Sequence, residues 1–146
     1  MIALDTSVIV AGLLAWHERH PPCLDALQEA LALASPVILP LPALVESYSV
    51  LTRLPAPHRL SPASAFTLLE DTFHATAEVA GVEGEVLWTE LSTWCDAGVA
   101  GGRAYDAHIM ACARRAGSTR LLTLNPSHFA PLAGPDIEVA VPGGEQ

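Results

Sequence analysis

A chain of 146 residues, 51% of them hydrophobic and with a mean hydropathy of +0.36, has enough apolar material for one domain with a full core and too little length for two. That composition excludes a disordered chain, and no apolar run reaches the roughly 18 residues that a membrane-spanning helix needs. The net charge of −9, with all seven basic residues arginine, excludes nucleic-acid binding through bulk electrostatics, because the phosphate backbone rewards a basic surface.

The chain opens with MIALD, a short apolar run ending at an acidic residue, and Asp5, Thr6 and Ser7 supply cap-type residues before VIVAGLL: a strand, then a helix. His17 to Pro22 reads as a polar break, and LDALQEALALA (24–34) as a helix that Ser35-Pro36 stops before the buried strand PVILP. A helix is predicted from Pro42 to Leu54, with Leu41, Leu44, Val45, Tyr48 and Leu51 as its apolar stripe, followed by a PAPH loop. Ser61-Pro62 starts a helix running to about His74, ATAEVAG (75–81) is a third strand, and Glu83–Ala97 is a helix packing Leu87, Trp88, Leu91, Trp94 and Cys95 on one side. Gly98–Gly102 is a glycine-rich loop carrying on into Arg103, Tyr105–Ala116 a helix, TRLLTL a strand, Asn125-Pro126 a turn and IEVAVP a last strand. Strands separated by helices predict an α/β fold of three layers, with a mainly parallel central sheet, as a single domain over residues 1–146.

Cys23, Cys95 and Cys112 are an odd number at wide spacings, which fits a reducing compartment, with Cys95 and Cys112 expected in the core. MIALD has neither a basic stretch nor a small-residue cleavage site, so a cytoplasmic location is expected, with no membrane association. His17, His20 and Cys23 lack a fourth zinc ligand and read as a polar loop. Phosphate-loop, dinucleotide and G-x-S-x-G motifs are all missing from the sequence.

Three carboxylates carry the chemistry. Asp5, Glu46 and Asp106 are far apart in sequence, and clustered carboxylates repel by roughly 4 kcal/mol per pair at 4 Å and an effective dielectric near 20. If the fold brings them together, a hard cation is implied. Each also has a plain structural reading: Asp5 as a helix N-cap, Glu46 as a solvated residue opposite the apolar stripe, Asp106 as a favourable charge in the first turn of its helix, and Asn125 as a turn starter.

A strand ending D-T-S, a Glu in a helix of the first third, YDAHIMACA in a helix of the last third and LLTLNPSHF after the next strand together resemble the PIN-domain ribonucleases, especially VapC-type toxins of toxin–antitoxin pairs. The resemblance implies that Asp5, Glu46 and Asp106 are catalytic metal ligands, with Asn125 at a fourth position and Thr6 or Ser7 holding a water or a carboxylate in place. An amide at Asn125 brings no charge, which leaves open whether one metal or two is held. The implied cofactor is Mg²⁺ or Mn²⁺, oxygen-seeking ions that keep several waters and so leave room for a phosphate oxygen. The implied substrate is a structured RNA such as transfer or ribosomal RNA; the implied partners are a cognate antitoxin and a second copy in a homodimer. Arg103, three residues before Asp106, is the candidate for touching a substrate phosphate. The alternatives are a PIN nuclease of RNA maturation, a PIN-like scaffold without catalysis, and a receiver-like signalling module, the last disfavoured because that site normally wants a lysine.

Overall fold

The computed structural model describes residues 1–144. In chain order its elements are β1 (Ile2–Leu4), α1 (Thr6–Leu13), α2 (His20–Leu31), β2 (Val37–Pro40), α3 (Leu41–Thr52), α4 (Pro62–Phe73), β3 (Ala77–Ala80), α5 (Gly84–Asp96), α6 (Arg103–Arg115), β4 (Arg120–Leu122), α7 (Pro126–Ala133) and β5 (Glu138–Ala140). The five strands form one sheet in the order β3-β2-β1-β4-β5, and every pairing is parallel. Successive side chains of a strand point to opposite faces, yet Ala3 and Leu4 of the central strand are both fully buried, so helices cover the sheet on both sides. This is the three-layer α/β architecture expected from the alternation of elements. A receiver-like fold would place β1 between β2 and β3, whereas here its neighbours are β2 and β4, which sets that alternative aside.

The order of strands positions the site. From β1 the chain builds outward through β2 to β3, then returns to lay β4 and β5 on the other side, so the direction of winding reverses between β1 and β4. In parallel sheets the crevice beyond the carboxyl ends of the strands at such a reversal is where ligands bind. Leu4 is in register with Leu122, and the Asp5 N–H donates to the Leu122 carbonyl at 2.9 Å, which sets Asp5 beside the segment Thr123–Asn125.

Several local expectations are corrected. α2 begins at His20, inside the predicted polar break; Pro21 and Pro22 fall in its first turn, where their missing N–H groups have no helical partner to lose. α6 begins at Arg103, so that residue belongs to the helix and not to the glycine loop. α7 occupies Pro126–Ala133 where Asn125-Pro126 was expected to turn directly into the last strand; Pro126 is its first residue, and Phe129 anchors it in the core. The inward face of α3 is Ala43, Ser47 and Leu51, while Leu41, Val45 and Tyr48 of the predicted stripe are exposed. Small residues allow a close approach that hydropathy does not register: Ser47 is fully buried because its hydroxyl donates to the Ala43 carbonyl at 2.7 Å.

Leu44, Val45 and Tyr48 of α3 line an open apolar groove of about 360 Å³ with Phe66 and Leu69 of α4 and Val79 of β3. α5 likewise buries less than its pattern suggests. Trp94 packs against Ala107 and Ala111 of α6, but Trp88 is 71% exposed, and Leu91 and Cys95 are exposed with it. Cys112 is buried as expected. Among the described residues no helix is long and apolar enough to cross a membrane.

Candidate active site

A pocket of about 470 Å³ opens at the sheet reversal, and Asp5, Thr6, Ser7, Glu46, Asp106 and Asn125 all line it. Six residues singled out from the sequence, drawn from β1, α1, α3, α6 and the end of β4, thus share one cavity.

Asp5 holds the N-cap position of α1, but its side chain makes no capping bond. One carboxylate oxygen, Oδ2, instead accepts from the Ser7 hydroxyl and from the Thr123 hydroxyl, both at 2.7 Å. Those hydroxyls are themselves held: the Leu124 N–H donates to Ser7 Oγ and the Asn125 N–H to Thr123 Oγ1, both at 2.9 Å. Two of the first backbone amides after β4 are thereby spent on orienting a carboxylate that follows β1. Asp5 is only 5% exposed, and burying a charge on this scale requires partners of this kind. Thr123 was not recognised from the sequence; its place in LLTLN, one step past the buried strand residues, was the available signal.

Asp106 sits in the first turn of α6, where the helix dipole favours its charge. Its Oδ2 lies 3.5 Å from Arg103 Nε and 3.8 Å from His128 Nδ1. Arg103 also donates to the His128 carbonyl at 2.7 Å, so it ties the start of α6 to the first turn of α7. The candidate substrate-binding arginine is therefore engaged with Asp106. His128 lines the pocket, and His17 does so too.

Glu46 is exposed at its surface, yet it faces the same pocket together with Val50, one turn further along α3. Burial lifts its carboxyl above the ordinary value, the Asp5 and Asp106 charges lift it further, and Arg53 offsets part of the rise. Burial also raises the Asp106 carboxyl; His128 and Arg103 pull it down, while Asp5 adds to the rise. The three carboxylates therefore sense one another through the pocket.

Among the described residues no three His, Cys, Asp or Glu side chains close into a ready-made ion cage. The donor set fits a cation that keeps part of its water shell: hard oxygen ligands, an open pocket, and two carboxyls raised first by burial and then by neighbouring negative charge. The Thr6 hydroxyl is buried in the wall of the pocket on the Glu46 side, where it offsets a small part of the rise in the Glu46 carboxyl.

The model of the PIN domain family matches residues 2–133. The chain belongs to the PIN domain family. The resemblance to its VapC-type members is borne out as well: the chain is 39% identical to ribonuclease VapC40 of Mycobacterium tuberculosis over 126 residues, 84% of this chain and 85% of that one. Ribonuclease VapC27 of the same organism is 35% identical over 108 residues, covering 73% of this chain and 72% of that one. The fold is shared with VapC20 of Mycobacterium tuberculosis, a sarcin–ricin loop cleaving toxin, at a TM-score of 0.69 and 18% identity over 90% of this chain and 95% of that one. It is shared also with FitAcB from Neisseria gonorrhoeae, at a TM-score of 0.62 and 17% identity over 95% and 96% of the two chains.

Two tests arise from this PIN geometry. Thr123→Val keeps shape but removes the hydroxyl that bonds Asp5 and the Asn125 amide; leaving buried polar groups unpaired costs about 1–3 kcal/mol of stability, and for an Asp5 that serves as a metal ligand the loosening lowers metal affinity about 10–100-fold. Calorimetric Mn²⁺ titration and thermal melts read both effects. The second concerns pH. The folded protein holds the Glu46 and Asp106 protons more tightly than the unfolded chain does, so metal-free stability falls as pH rises from the ordinary values of 4.5 and 3.8 through the raised ones. Melting in EDTA across that window shows a falling Tm, and combining Glu46→Gln with Asp106→Asn flattens it.

Proposed function

We propose that this chain is a metal-dependent endoribonuclease toxin, with its domain running over residues 1–146. The observation that carries the reading is the meeting of Asp5, Glu46 and Asp106 in one pocket at the sheet reversal, with carboxyl protons of Glu46 and Asp106 held more tightly by burial and mutual repulsion. Kinship with proteins named ribonucleases supports the choice of substrate, and likeness to a sarcin–ricin loop cleaving toxin favours a structured RNA.

In this reading Asp5, Glu46 and Asp106 hold Mg²⁺ or Mn²⁺, with Asn125 contributing an uncharged oxygen. An ion held by these residues would lower the pKa of a water and polarise the phosphodiester. Ser7 and Thr123 fix Asp5 through Oδ2, and neither occupies Oδ1. Arg103 and the His128 ring hold Asp106 in place, and the Arg103 guanidinium lends positive charge where phosphate negative charge grows. Thr6 turns its hydroxyl toward Glu46 and helps to hold that carboxylate.

The cognate antitoxin inhibits by placing an arginine-bearing segment against the carboxylates, since a guanidinium fork matches them better than a point charge does, and a net charge of −9 attracts a basic partner. A second copy forms a homodimer over exposed apolar surface, of which the Leu41/Val45/Tyr48 side of α3 and the Trp88/Leu91 side of α5 are the available patches. The protein acts in the cytoplasm, where its RNA is.

The test is cleavage of total cellular RNA by purified protein. Discrete fragments form with Mn²⁺ or Mg²⁺, none form in EDTA, and none carry a 2′,3′-cyclic phosphate, because water and not the ribose hydroxyl attacks. A PIN-like scaffold without catalysis predicts intact RNA throughout.

A further inference from the structure

An aromatic pair joins two loops that lead away from the acidic pocket, and neither ring belongs to the buried core. Trp16, in the loop after α1, stacks on His58, in the loop between α3 and α4, with ring centroids 4.2 Å apart and planes 27° from parallel. The indole nevertheless remains 50% exposed, and His58 is exposed as well. A tryptophan used for packing is normally well buried; this one is ordered by its neighbour and left open to solvent.

Both ends of the pair lead to the pocket. His17, next to Trp16, lines it, with its ring fixed by the Arg19 N–H donating to Nδ1 at 3.0 Å. On the other side Val50 lines the pocket, Arg53 ends α3 three residues later, and His58 follows after a short loop. Arg53 is exposed and, among the described residues, has no ion-pair partner, although its charge reaches Glu46. An exposed cation five residues before one of two stacked rings is a combination that receives a single strand: rings take bases by their faces, and the guanidinium takes the backbone.

We propose that Trp16 and His58 form a stacking shelf for an unpaired nucleobase of the substrate, beside the phosphate to be cut, with Arg53 meeting a backbone phosphate between shelf and carboxylates. The proposal rests on the ribonuclease reading and adds to it how the RNA is seated. Stacking accepts any base, so the shelf selects for unpaired nucleotides and not for sequence.

The experiment uses the full chain carrying Asp106→Asn, so that RNA is bound and not cut, and a fluorescent twelve-nucleotide oligouridine in Mg²⁺. Adding Trp16→Ala weakens binding about tenfold, the scale of one lost base–aromatic stack, without altering the salt dependence. Trp16→Phe keeps most of the affinity and controls for folding. Arg53→Ala lowers the slope of log affinity against log salt by about one, the signature of one lost phosphate contact. With 5-bromouridine in the oligonucleotide, irradiation cross-links RNA to Trp16 or His58. Affinity unchanged within twofold in Trp16→Ala, with cross-links elsewhere, overturns the shelf while metal-dependent cleavage by the unmodified protein leaves the ribonuclease reading standing. If the unmodified protein cuts no RNA, that reading fails and the shelf falls with it.

Discussion

Asp5→Asn and Asp106→Asn each lose at least about a hundredfold in RNA cleavage while keeping the fold. Groups that only orient a metal ligand are worth 10–100-fold, so removing a charged ligand itself costs more. The fold survives for separate reasons at the two positions. At position 5 the amide oxygen of asparagine still accepts from the Ser7 and Thr123 hydroxyls. At position 106 the change removes a carboxyl whose raised pKa records charge held at a cost. Circular dichroism and thermal melts beside the cleavage assay separate these from unfolding; wild-type-like cleavage from either variant contradicts the assignment of that carboxylate.

Glu46→Gln is expected to show a large loss of cleavage, again of about a hundredfold or more, together with a higher Tm in EDTA. The opposed directions are the point. A solvated helix glutamate would leave both quantities unmoved, whereas Glu46 faces Asp5 and Asp106, and both charges lift its carboxyl. Neutralising it relieves that repulsion in the metal-free protein and removes a ligand from the loaded one. Mg²⁺ should raise the Tm of the unmodified protein and do much less for the variant, because an ion stabilises only the state that binds it. Activity within twofold of wild type returns Glu46 to the solvent-facing role that its helical wheel suggested.

The sheet and the ends of its central strands were legible because β1, β2 and β4 are short apolar runs bounded by polar or proline residues, and a buried parallel strand has that signature. Asp5 and Asn125 could be placed at one edge from the order of elements alone. Glu46 could not. Its wheel was drawn on Leu41, Leu44, Val45, Tyr48 and Leu51, but α3 packs through Ala43, Ser47 and Leu51, and the larger residues face a groove. Periodicity reports which face is apolar and not which face is covered; small residues decided the matter here. The same failing misplaced Trp88, Leu91 and Cys95, because α5 meets α6 through Trp94 against two alanines and leaves the rest of its stripe outside. α7 was missed because Asn-Pro reads equally as a turn and as a helix start. With it went His128, whose place beside Asp106 depends on that helix. Thr123 was hidden for another reason: its partner lies 118 residues away.

Mn²⁺ binding followed by electron paramagnetic resonance tests the central claim most directly, since it counts bound ions without requiring the right RNA. Purified protein should remove free Mn²⁺ from the spectrum with at least one site per chain, and Asp5→Asn, Glu46→Gln and Asp106→Asn should each weaken that site by about tenfold or more while remaining folded. Binding that persists unchanged in all three variants would place the ion elsewhere and contradict the account.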